Sequence, residues 1–513
     1  MDIIKIGGSK INKPELFSQL INYITNYSSS HNNSAFFIIS AFDKNTKDLK
    51  KCLELSIDKS INNYISLNKK DTKQKKRVQQ ILNQIYNFHL NLINNLILSK
   101  QSSIIDSKSN EIINELINTL ITKFKQSFEI FLDEINETLQ NVSYLNLYSA
   151  KTLDRVISYG EVFAFNTINY SIELSKILNS NKLVTSVSTN NSNDYISTNY
   201  DKINLVSAFD FVTTNDTYNN AFIDEKQTFK KLSRILDNVG YNNVNSNTNL
   251  NVISNTISNK EHFTFITQGF IAKSEKNEIT TMGMESSNLT AAVICKFFNS
   301  KKLNIITDTK GVYNCDPRVF SEFNTLNVLD YNQSIDLSKL GLKLLYKQML
   351  QICKDNDIEI TYSSIFEMNN NNIIKTTISN NSITQINCEP VFIVNFNLNK
   401  CSFSFDNLTD FENHIKTNTF GHINFFKQDN INLSINYYTY EVSNLINKEE
   451  VTLLTIYKFS KINNEFFDDE LLKGFIDFIE IDYKNNIVYL IINKIDNTEN
   501  ETYIFDKIKS YFS

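Results

Sequence analysis

The sequence has few of the residues that usually bend, stiffen or crosslink a chain. Of its 513 residues, 10 are glycine, 3 are proline and none is tryptophan. The net charge is -5, so no strong positive field exists to hold nucleic acid or an anionic membrane. No apolar run is long enough to cross a bilayer, and the first residues lack the pattern of a signal peptide. We therefore expect a cytoplasmic protein that binds neither nucleic acid nor a membrane.

Cysteine and histidine are also scarce, and neither forms a metal-binding pattern. The 5 histidines are scattered, and no two cysteines have the C-x-x-C spacing of a zinc site. Most cysteines lie in apolar stretches, which indicates buried free thiols in a reducing compartment. They are Cys52, Cys295, Cys315, Cys353, Cys388 and Cys401. We predict no metal site built by the protein itself.

The chain does have enough apolar material for large cores, because 41% of its residues are hydrophobic and 12% are aromatic. Its length suggests roughly two to four domains. A loop-rich, asparagine-rich stretch near residues 379–389 separates a long first part from a shorter second part. We predict one domain over residues 1–380 and another over residues 385–513.

The first part begins as strand, glycines, helix and strand, with strands at Ile3–Ile6 and Ala35–Ala41 around a helix at Glu15–Tyr27. This order predicts a parallel crossover unit. Residues from about 47 to 150 then show only helical spacing, which predicts a helical excursion. The basic run at 69–77 within it is interpreted as a solvated face rather than a nucleic-acid site.

Two further long helices are predicted in the first part, at Leu153–Leu178 and Ser334–Lys354. In the second part strands and helices alternate with a shorter period. A helix is predicted there at Asn407–Lys416 and a strand at Ile487–Asn493. This alternation predicts two small βαββαβ-type units.

A lysine and two glycines follow the first predicted strand, in the motif Lys5–Ser9 (KIGGS). Exposed backbone N–H groups at such a turn suit a phosphate, and the lysine would add a point charge. An ordinary tight turn is the alternative, and for an isolated Gly-Gly pair it is the better one. The motif gains weight only from the motifs that follow it in order.

Those motifs are Ile39–Thr46 (ISAFDKNT), Ser158–Glu161 (SYGE), Ile266–Ala272 (ITQGFIA), Thr280–Ala292 (TTMGMESSNLTAA), Ile306–Arg318 (ITDTKGVYNCDPR) and Leu340–Leu345 (LGLKLL). Their order and spacing from about Met1 to Ile378 resemble the aspartate kinases of the amino-acid kinase superfamily. Most of the few glycines fall inside these motifs. The residues after 385 resemble the tandem ACT regulatory region of that family.

The resemblance implies both a fold and a reaction. The fold is α/β, a carbamate-kinase-like three-layer sandwich with a helical insertion, followed by an α+β ferredoxin-like ACT pair. The reaction is transfer of the γ-phosphate of ATP, with Mg²⁺, to the β-carboxylate of L-aspartate. The product, 4-phospho-L-aspartate, leads toward lysine, threonine and methionine. A homodimer and an amino-acid effector at the ACT region are also implied, whereas no second catalytic domain is expected after Ser513.

By matching position, the resemblance also implies roles for individual residues. Lys5 and Asn288 would be catalytic, with Lys5 stabilising the transferring phosphoryl group. The aspartate site would be lined by Ser40, Thr46, Glu161 and Ser287, with Glu161 pairing with the substrate ammonium. The ATP site would be formed by Lys5, Gly7, Gly8, Ser9, Thr307, Asp308, Tyr313, Arg318 and Lys343.

Two positions depart from the family segment G-R-x-G-S-D, which reads GMESSN here. The family arginine, which grips a substrate carboxylate, is Met284, and the family aspartate is Asn288. Lys347 or Arg155 is a candidate for the missing cation. Three hypotheses therefore stay open: an active aspartate kinase, a weak or inactive paralogue that serves as a regulatory subunit, and an enzyme for a different acid.

Overall fold

A computed structural model describes most of the chain and divides it into two compact units. Unit 1 is Met1–Lys310 with Gln348–Asn380, and unit 2 is Gly311–Lys347 with Asn381–Ser513. The predicted domain boundary near 380 stays a prediction. The described residues are 1–9, 11–57, 71–101, 107–187, 202–241, 262–283, 286–342, 344–367, 375–380, 390–404, 425–429, 434–439, 448–457, 466, 469–482, 487–493 and 498–512.

Strands and helices are numbered here in chain order over the described residues. The strands are β1 Asp2–Ile6, β2 Ala35–Ile39, β3 Ile203–Leu205, β4 Thr213–Thr214, β5 Thr264–Gln268, β6 Ile271–Ser274, β7 Ile279–Thr281, β8 Lys302–Thr307, β9 Val328–Asp330, β10 Glu359–Ser364, β11 Lys375–Ser379, β12 Val391–Ser404, β13 Phe425–Asp429, β14 Ser434–Thr439, β15 Lys448–Tyr457, β16 Ile476–Asp482 and β17 Ile487–Asn493. The helices are α1 Pro14–His31, α2 Asn45–Ser56, α3 Asp71–Gln101, α4 Ser107–Leu145, α5 Ala150–Ile157, α6 Tyr159–Val187, α7 Ala208–Phe211, α8 Glu225–Asn238, α9 Ser287–Phe298, α10 Tyr331–Lys339, α11 Lys347–Asp355, α12 Glu470–Lys473 and α13 Thr498–Phe512.

The central sheet of unit 1 runs in the order β3-β5-β2-β1-β8-β10-β11. Its neighbouring strands are parallel, except that β10 and β11 are antiparallel. Every residue of β2 is buried, as expected for a strand covered on both faces. Because β1 lies between β2 and β8, Lys5 is registered with Ile38 on one side and Ile305 on the other. The carboxyl ends of these three strands therefore meet at one edge of the sheet.

The helical excursion is confirmed over the described residues as helices α2 to α5, and α6 follows it. Its interior is aromatic: Phe124, Phe128 and Phe163 are fully buried, and the rings of Phe128 and Phe163 stack 4.4 Å apart. These helices share one hydrophobic core with α1 and the β1–β2 side of the sheet. The insertion is thus packed onto the parallel-sheet core and does not fold as a separate body.

Two predicted helices are each broken into two. The Leu153–Leu178 prediction is wrong at Ser158, which separates α5 from α6 because its hydroxyl donates to the Arg155 carbonyl and competes with the helical bonds. The Ser334–Lys354 prediction is wrong between α10 and α11. Gly341 has φ +101 there, and the Leu342 N–H donates to the Leu337 carbonyl, as at a glycine-terminated helix end.

Unit 2 contains an antiparallel sheet in the order β13-β14-β12-β15-β17-β16. Phe320, Phe392 and Phe505 lie in its core, with ring centroids 5.5 and 5.6 Å from Phe320. The strand predicted at Ile487–Asn493 is confirmed as β17, whereas the helix predicted at Asn407–Lys416 lies outside the described residues. A parallel core with an antiparallel α+β part confirms the predicted fold class.

Cysteine behaves as predicted where its side chain is described. Cys52, Cys295, Cys315 and Cys353 are buried free thiols. None of the helices in the described part of the chain is long and apolar enough to span a membrane.

Candidate active site

The loop after β1 places a buried lysine beside two closely packed glycines. Lys5 is 7% exposed, and its Nζ lies 3.7 Å from the point where a Cβ on Gly7 would stand. The Gly7 N–H donates to the Ile306 carbonyl of β8 at 2.8 Å. At Gly8 a Cβ would lie 2.0 Å from the Ala41 carbonyl oxygen, so no side chain fits. The loop that the KIGGS motif predicted therefore exists, with the ammonium beneath it and Ser9 exposed at its tip.

The segment that follows β2, Ser40–Thr46, lies directly over the start of α6, and we call it the β2–α2 segment. The Ala41 N–H donates to Glu161 Oε1 at 3.2 Å. A Cβ at Gly160 would stand 2.7 Å from Thr46 Oγ1, so the missing side chain is what permits this approach. The structure thus brings Thr46 and Glu161, two residues predicted for the acceptor site, to adjoining positions.

Glu161 is a buried carboxyl group with one oxygen unused. It is 4% exposed, and Oε2 has no hydrogen-bond partner among the described residues. Burial raises the pKa of Glu161 to about 8, against the opposing effects of the Ala41 N–H and the positive charge of Lys5. A buried oxygen without a donor is costly, so this atom calls for a ligand that brings one.

The start of α9 carries the other two predicted acceptor-site residues, Ser287 and Asn288. A Cβ at Gly269 would lie 2.6 Å from the Ser287 Cα, and the Gly269 N–H donates to the Ile39 carbonyl at 3.0 Å. Gly269 therefore brings the helix start against the end of β2. Asn288 is 3% exposed, and its Oδ1 has no partner within the described part of the chain. A helix start carries partial positive charge, so this corner favours an anion.

The end of β8 supplies Thr307 and Asp308. The Thr307 hydroxyl donates to Asp308 Oδ1 at 3.0 Å. The Thr307 Cα lies 3.7 Å from the Cβ position of Gly7, so these residues adjoin the glycine loop. A carboxylate and a hydroxyl thus stand beside the lysine at the same sheet edge.

The other residues predicted for the nucleotide are not gathered in unit 1. Tyr313 and Arg318 belong to unit 2, where the Tyr313 ring lies 4.8 Å from the Phe323 ring and Arg318 Nε donates to Asp316 Oδ1 at 2.9 Å. Lys343 and Met284 lie outside the described residues. Their assignment stays a prediction, as does any replacement of the family arginine by Lys347 or Arg155.

Sequence reasoning missed Asp154, a fully buried carboxylate on α5. Its Oδ2 accepts from the N–H groups of Asn219 and Thr281, both at 2.8 Å, and its Oδ1 accepts from the Thr281 hydroxyl at 2.7 Å. Asp154 therefore ties α5 to β7 and to the loop before α8. The only signal in the sequence is an acidic residue on the apolar side of a predicted helix.

The described residues contain no group of histidine, cysteine and carboxylate side chains that could hold a metal ion. What the site offers is a buried cation, a carboxyl group with an unused oxygen, and a helix start that favours an anion. These elements can orient two anionic reactants and stabilise charge that passes between them. They do not include a histidine that could act as a general base.

The sequence profile of the Amino acid kinase family matches residues 2–361, which is more than half of the chain. The chain belongs to this family. Its relatives include aspartokinases: one from Thermus thermophilus is 30% identical over 116 residues, and the lysine-sensitive aspartokinase 3 of Escherichia coli is 31% identical over 99 residues. The resemblance to aspartate kinases that the motifs indicated is thereby confirmed.

These sequence matches are short. They cover 23% of this chain and 29% of the Thermus thermophilus protein, and 19% and 22% for the Escherichia coli pair. The fold extends further: the structure of E. coli aspartokinase III in complex with aspartate and ADP superposes with a TM-score of 0.61 at 15% identity, covering 100% of this chain and 99% of that one. The aspartate kinase of Clostridium acetobutylicum gives 0.52 at 14% identity, covering 100% of each chain. At such identities these superpositions establish the fold.

Proposed function

We propose that this protein is an aspartate kinase that transfers the γ-phosphate of ATP to the β-carboxylate of L-aspartate. The observation that carries the proposal is the pair formed by Lys5 beneath the glycine loop and Glu161 with its unpartnered Oε2. Lys5 and the glycine loop suit a polyphosphate, and Glu161 suits an ammonium group. L-aspartate presents both an ammonium group and the carboxylate that would receive the phosphoryl group.

The loop after β1 fits a nucleotide phosphate chain. The Gly7–Ser9 turn packs too tightly for side chains at Gly8, so its backbone is what a ligand meets, and Lys5 adds charge from below. Mg²⁺ would enter bound to the nucleotide, and Asp308 is a carboxylate that follows β8. Tyr313, Arg318 and Lys343 are assigned to the nucleotide by the family resemblance alone.

The proposed acceptor site holds both ends of the amino acid. Glu161 pairs with the substrate ammonium, Ser40 and Thr46 line the same segment, and the start of α9 at Ser287 and Asn288 attracts a carboxylate. Because the β-carboxylate is already ionised, it attacks the γ-phosphorus without a general base. A carboxylate oxygen bonds to phosphorus, the bond from phosphorus to the bridging oxygen breaks, and ADP leaves. Lys5 stabilises the charge on the group in transfer.

Unit 2 is proposed to be the regulatory part, with a tandem ACT-like arrangement over residues 385–513, an amino-acid effector and a homodimer as the working state. One similar solved structure, of E. coli aspartokinase III, holds both lysine and aspartate, which supports the proposal of an amino-acid effector. Its TM-score is 0.57 at 15% identity, covering 100% of this chain and 99% of that one. An inactive regulatory subunit is not favoured by these comparisons.

The proposal is tested by trapping the acyl phosphate with hydroxylamine. Purified protein is incubated with Mg-ATP and one acid at a time: L-aspartate, L-glutamate, D-aspartate or succinate. We expect the hydroxamate to form fastest with L-aspartate. Succinate has both carboxylates but no ammonium, so it is the matched control for the Glu161 pairing.

Each other outcome decides against the proposal. No hydroxamate with any acid, from folded protein, would leave the family fold without the activity. A faster reaction with L-glutamate or another acid would identify a kinase of different specificity, for which Met284 in place of the family arginine would be the first suspect.

A further inference from the structure

A buried histidine of the helical insertion is hydrogen-bonded to the β2–α2 segment. His89 lies on α3 and is fully buried. Its Nε2 is 2.6 Å from Asn45 Nδ2, and its Nδ1 is 2.7 Å from Thr167 Oγ1 on α6. His89 is 44 residues from Asn45 and 78 residues from Thr167 in sequence, so these two hydrogen bonds join α2, α3 and α6. Asn45 immediately precedes Thr46 of the candidate acceptor site.

The directions of these two hydrogen bonds follow from the hydrogen bond that Thr167 donates. The Thr167 hydroxyl donates to the Phe163 carbonyl at 2.8 Å, so its oxygen accepts from His89 Nδ1–H. The other ring nitrogen, Nε2, then carries the lone pair and accepts from Asn45 Nδ2–H. His89 is therefore a neutral imidazole in a single tautomer. Burial lowers the pKa of His89 to about 3, in agreement with this assignment.

Four aromatic rings surround the side chain of His89. Its ring packs against Phe42, Phe88, Phe128 and Phe163 at centroid distances of 5.1 to 5.9 Å. Phe42 itself belongs to the β2–α2 segment. A polar chain inside such a cage is rigid, because breaking it would leave buried donors and acceptors unpaired.

The β2–α2 segment is also connected to both halves of the candidate site. The Asp43 N–H donates to the Gly8 carbonyl at 2.9 Å, and the Ala41 N–H donates to Glu161 Oε1. A shift of this segment would therefore move the glycine loop and the acceptor carboxyl against each other. The hydrogen bond from Asn45 to His89 holds the β2–α2 segment in place one residue before Thr46.

We propose that His89 is a positioning residue, through which the helical insertion fixes the β2–α2 segment for the acceptor amino acid by way of Asn45. The proposal rests on the proposed function, because it names what this contact does for aspartate binding. It gives the helical insertion a part in holding the acceptor site. His89 itself touches no reactant.

Two substitutions separate positioning from packing, because each removes the ring but keeps one of its two hydrogen bonds. In His89→Gln, the side-chain oxygen stands near the former Nε2 and accepts from Asn45. In His89→Asn, the shorter amide stands near the former Nδ1, keeps the bond to Thr167 and loses Asn45. We expect the KM for aspartate to rise about tenfold in H89N and to stay within about twofold of wild type in H89Q. In H89N the KM for ATP should rise less than the KM for aspartate, because Asn45 directly precedes Thr46 of the acceptor site and reaches the glycine loop less directly, through Asp43.

A third variant and a second measurement complete the test. Asn45→Ala should raise the KM for aspartate as H89N does, and the double variant should be no worse than either single one. Amide hydrogen exchange over the β2–α2 segment should be faster in H89N than in H89Q, and this comparison needs no turnover. If the wild-type protein makes no product, the proposed function fails while the exchange comparison still decides on His89. Equal KM and equal exchange in H89N and H89Q would overturn the positioning role.

Discussion

At the scale of single residues, Glu161 is where the physics of the candidate site is most unusual. Its carboxyl group is buried, one oxygen is unpartnered, and its pKa is raised to about 8, chiefly by burial. The protein without substrate therefore binds a proton there that the unfolded chain releases near its ordinary pKa of 4.5. The contribution of this group to folding is present below that value and is lost as pH rises through about 8. A substrate ammonium reverses the preference, since it stabilises the ionised form.

This gives a pH prediction for aspartate binding. Below pH 8 the site must ionise Glu161 before it pairs with the ammonium, so affinity should increase with pH by up to about tenfold per unit and level off near pH 8. The KM for aspartate, measured from pH 6 to 9, follows this curve. In Glu161→Gln the slope should vanish, and kcat/KM should fall about a hundredfold at pH 8. An unchanged slope in E161Q would show that another group titrates.

The second residue-scale prediction concerns Gly8. In Gly8→Ala the new Cβ would meet the Ala41 carbonyl oxygen at 2.0 Å, so two backbone segments of the site must move apart. We expect kcat/KM to drop by about a hundredfold or more, because displacements near 1 Å at a reacting centre cost that much. The matched control is Gly474→Ala in unit 2, where the nearest atom is the Leu471 carbonyl at 3.4 Å and φ is -72. Equal activity of the two variants would contradict the tight loop.

At the scale of elements, the sequence predicted best those strands of the sheet that are buried on both faces. The apolar runs of β1 and β2 predicted their strands to within one or two residues, because such runs have no amphipathic alternative. The breaks at Ser158 and Gly341 were missed, since each depends on one side-chain bond or one left-handed residue inside a helical pattern. Strand β16 was not predicted either, because IDFIEID in isolation has no neighbour to pair with until β17 is placed.

Asp154 is the element-scale contact with the clearest energetic consequence. It accepts three hydrogen bonds, of which those from Thr281 span 127 residues of sequence and join α5 to β7. In Asp154→Asn one of the two accepting oxygens is replaced by an NH2 group, so the group that donated to it loses its acceptor. We expect the melting temperature to fall by about 3 °C, as a loss of about 2 kcal/mol would produce in a unit of this length.

The control for Asp154 is Asp210→Asn, because Asp210 lies exposed on α7. That exchange should leave the melting temperature within about 1 °C of wild type, as surface substitutions usually do. Thermal unfolding of the three proteins under one buffer condition makes the comparison. Equal melting temperatures for D154N and wild type would mean that the tie between α5 and β7 carries no stability.

At the scale of the whole molecule, the ordered motifs predicted more of the site than any local pattern did. Lys5, Gly8, Thr46 and Glu161 come together because the strand order of the parallel sheet brings their segments to one edge. Asp154 and His89 were not predicted as site-supporting residues. Their partners are dozens of residues away, and only the fold determines which of them meet.

The most direct test of the account is whether this chain forms β-aspartyl hydroxamate from ATP, Mg²⁺, L-aspartate and hydroxylamine, and whether Lys5 and Glu161 are needed for it. The product is measured by mass spectrometry for wild type, Lys5→Met and E161Q, each checked for a native melting transition. The account predicts that the wild type forms hydroxamate and ADP in equal molar amounts. Folded K5M should form at least a hundredfold less hydroxamate, which is about the cost of losing a buried charge partner. Folded wild type without product, or K5M as active as wild type, would contradict it.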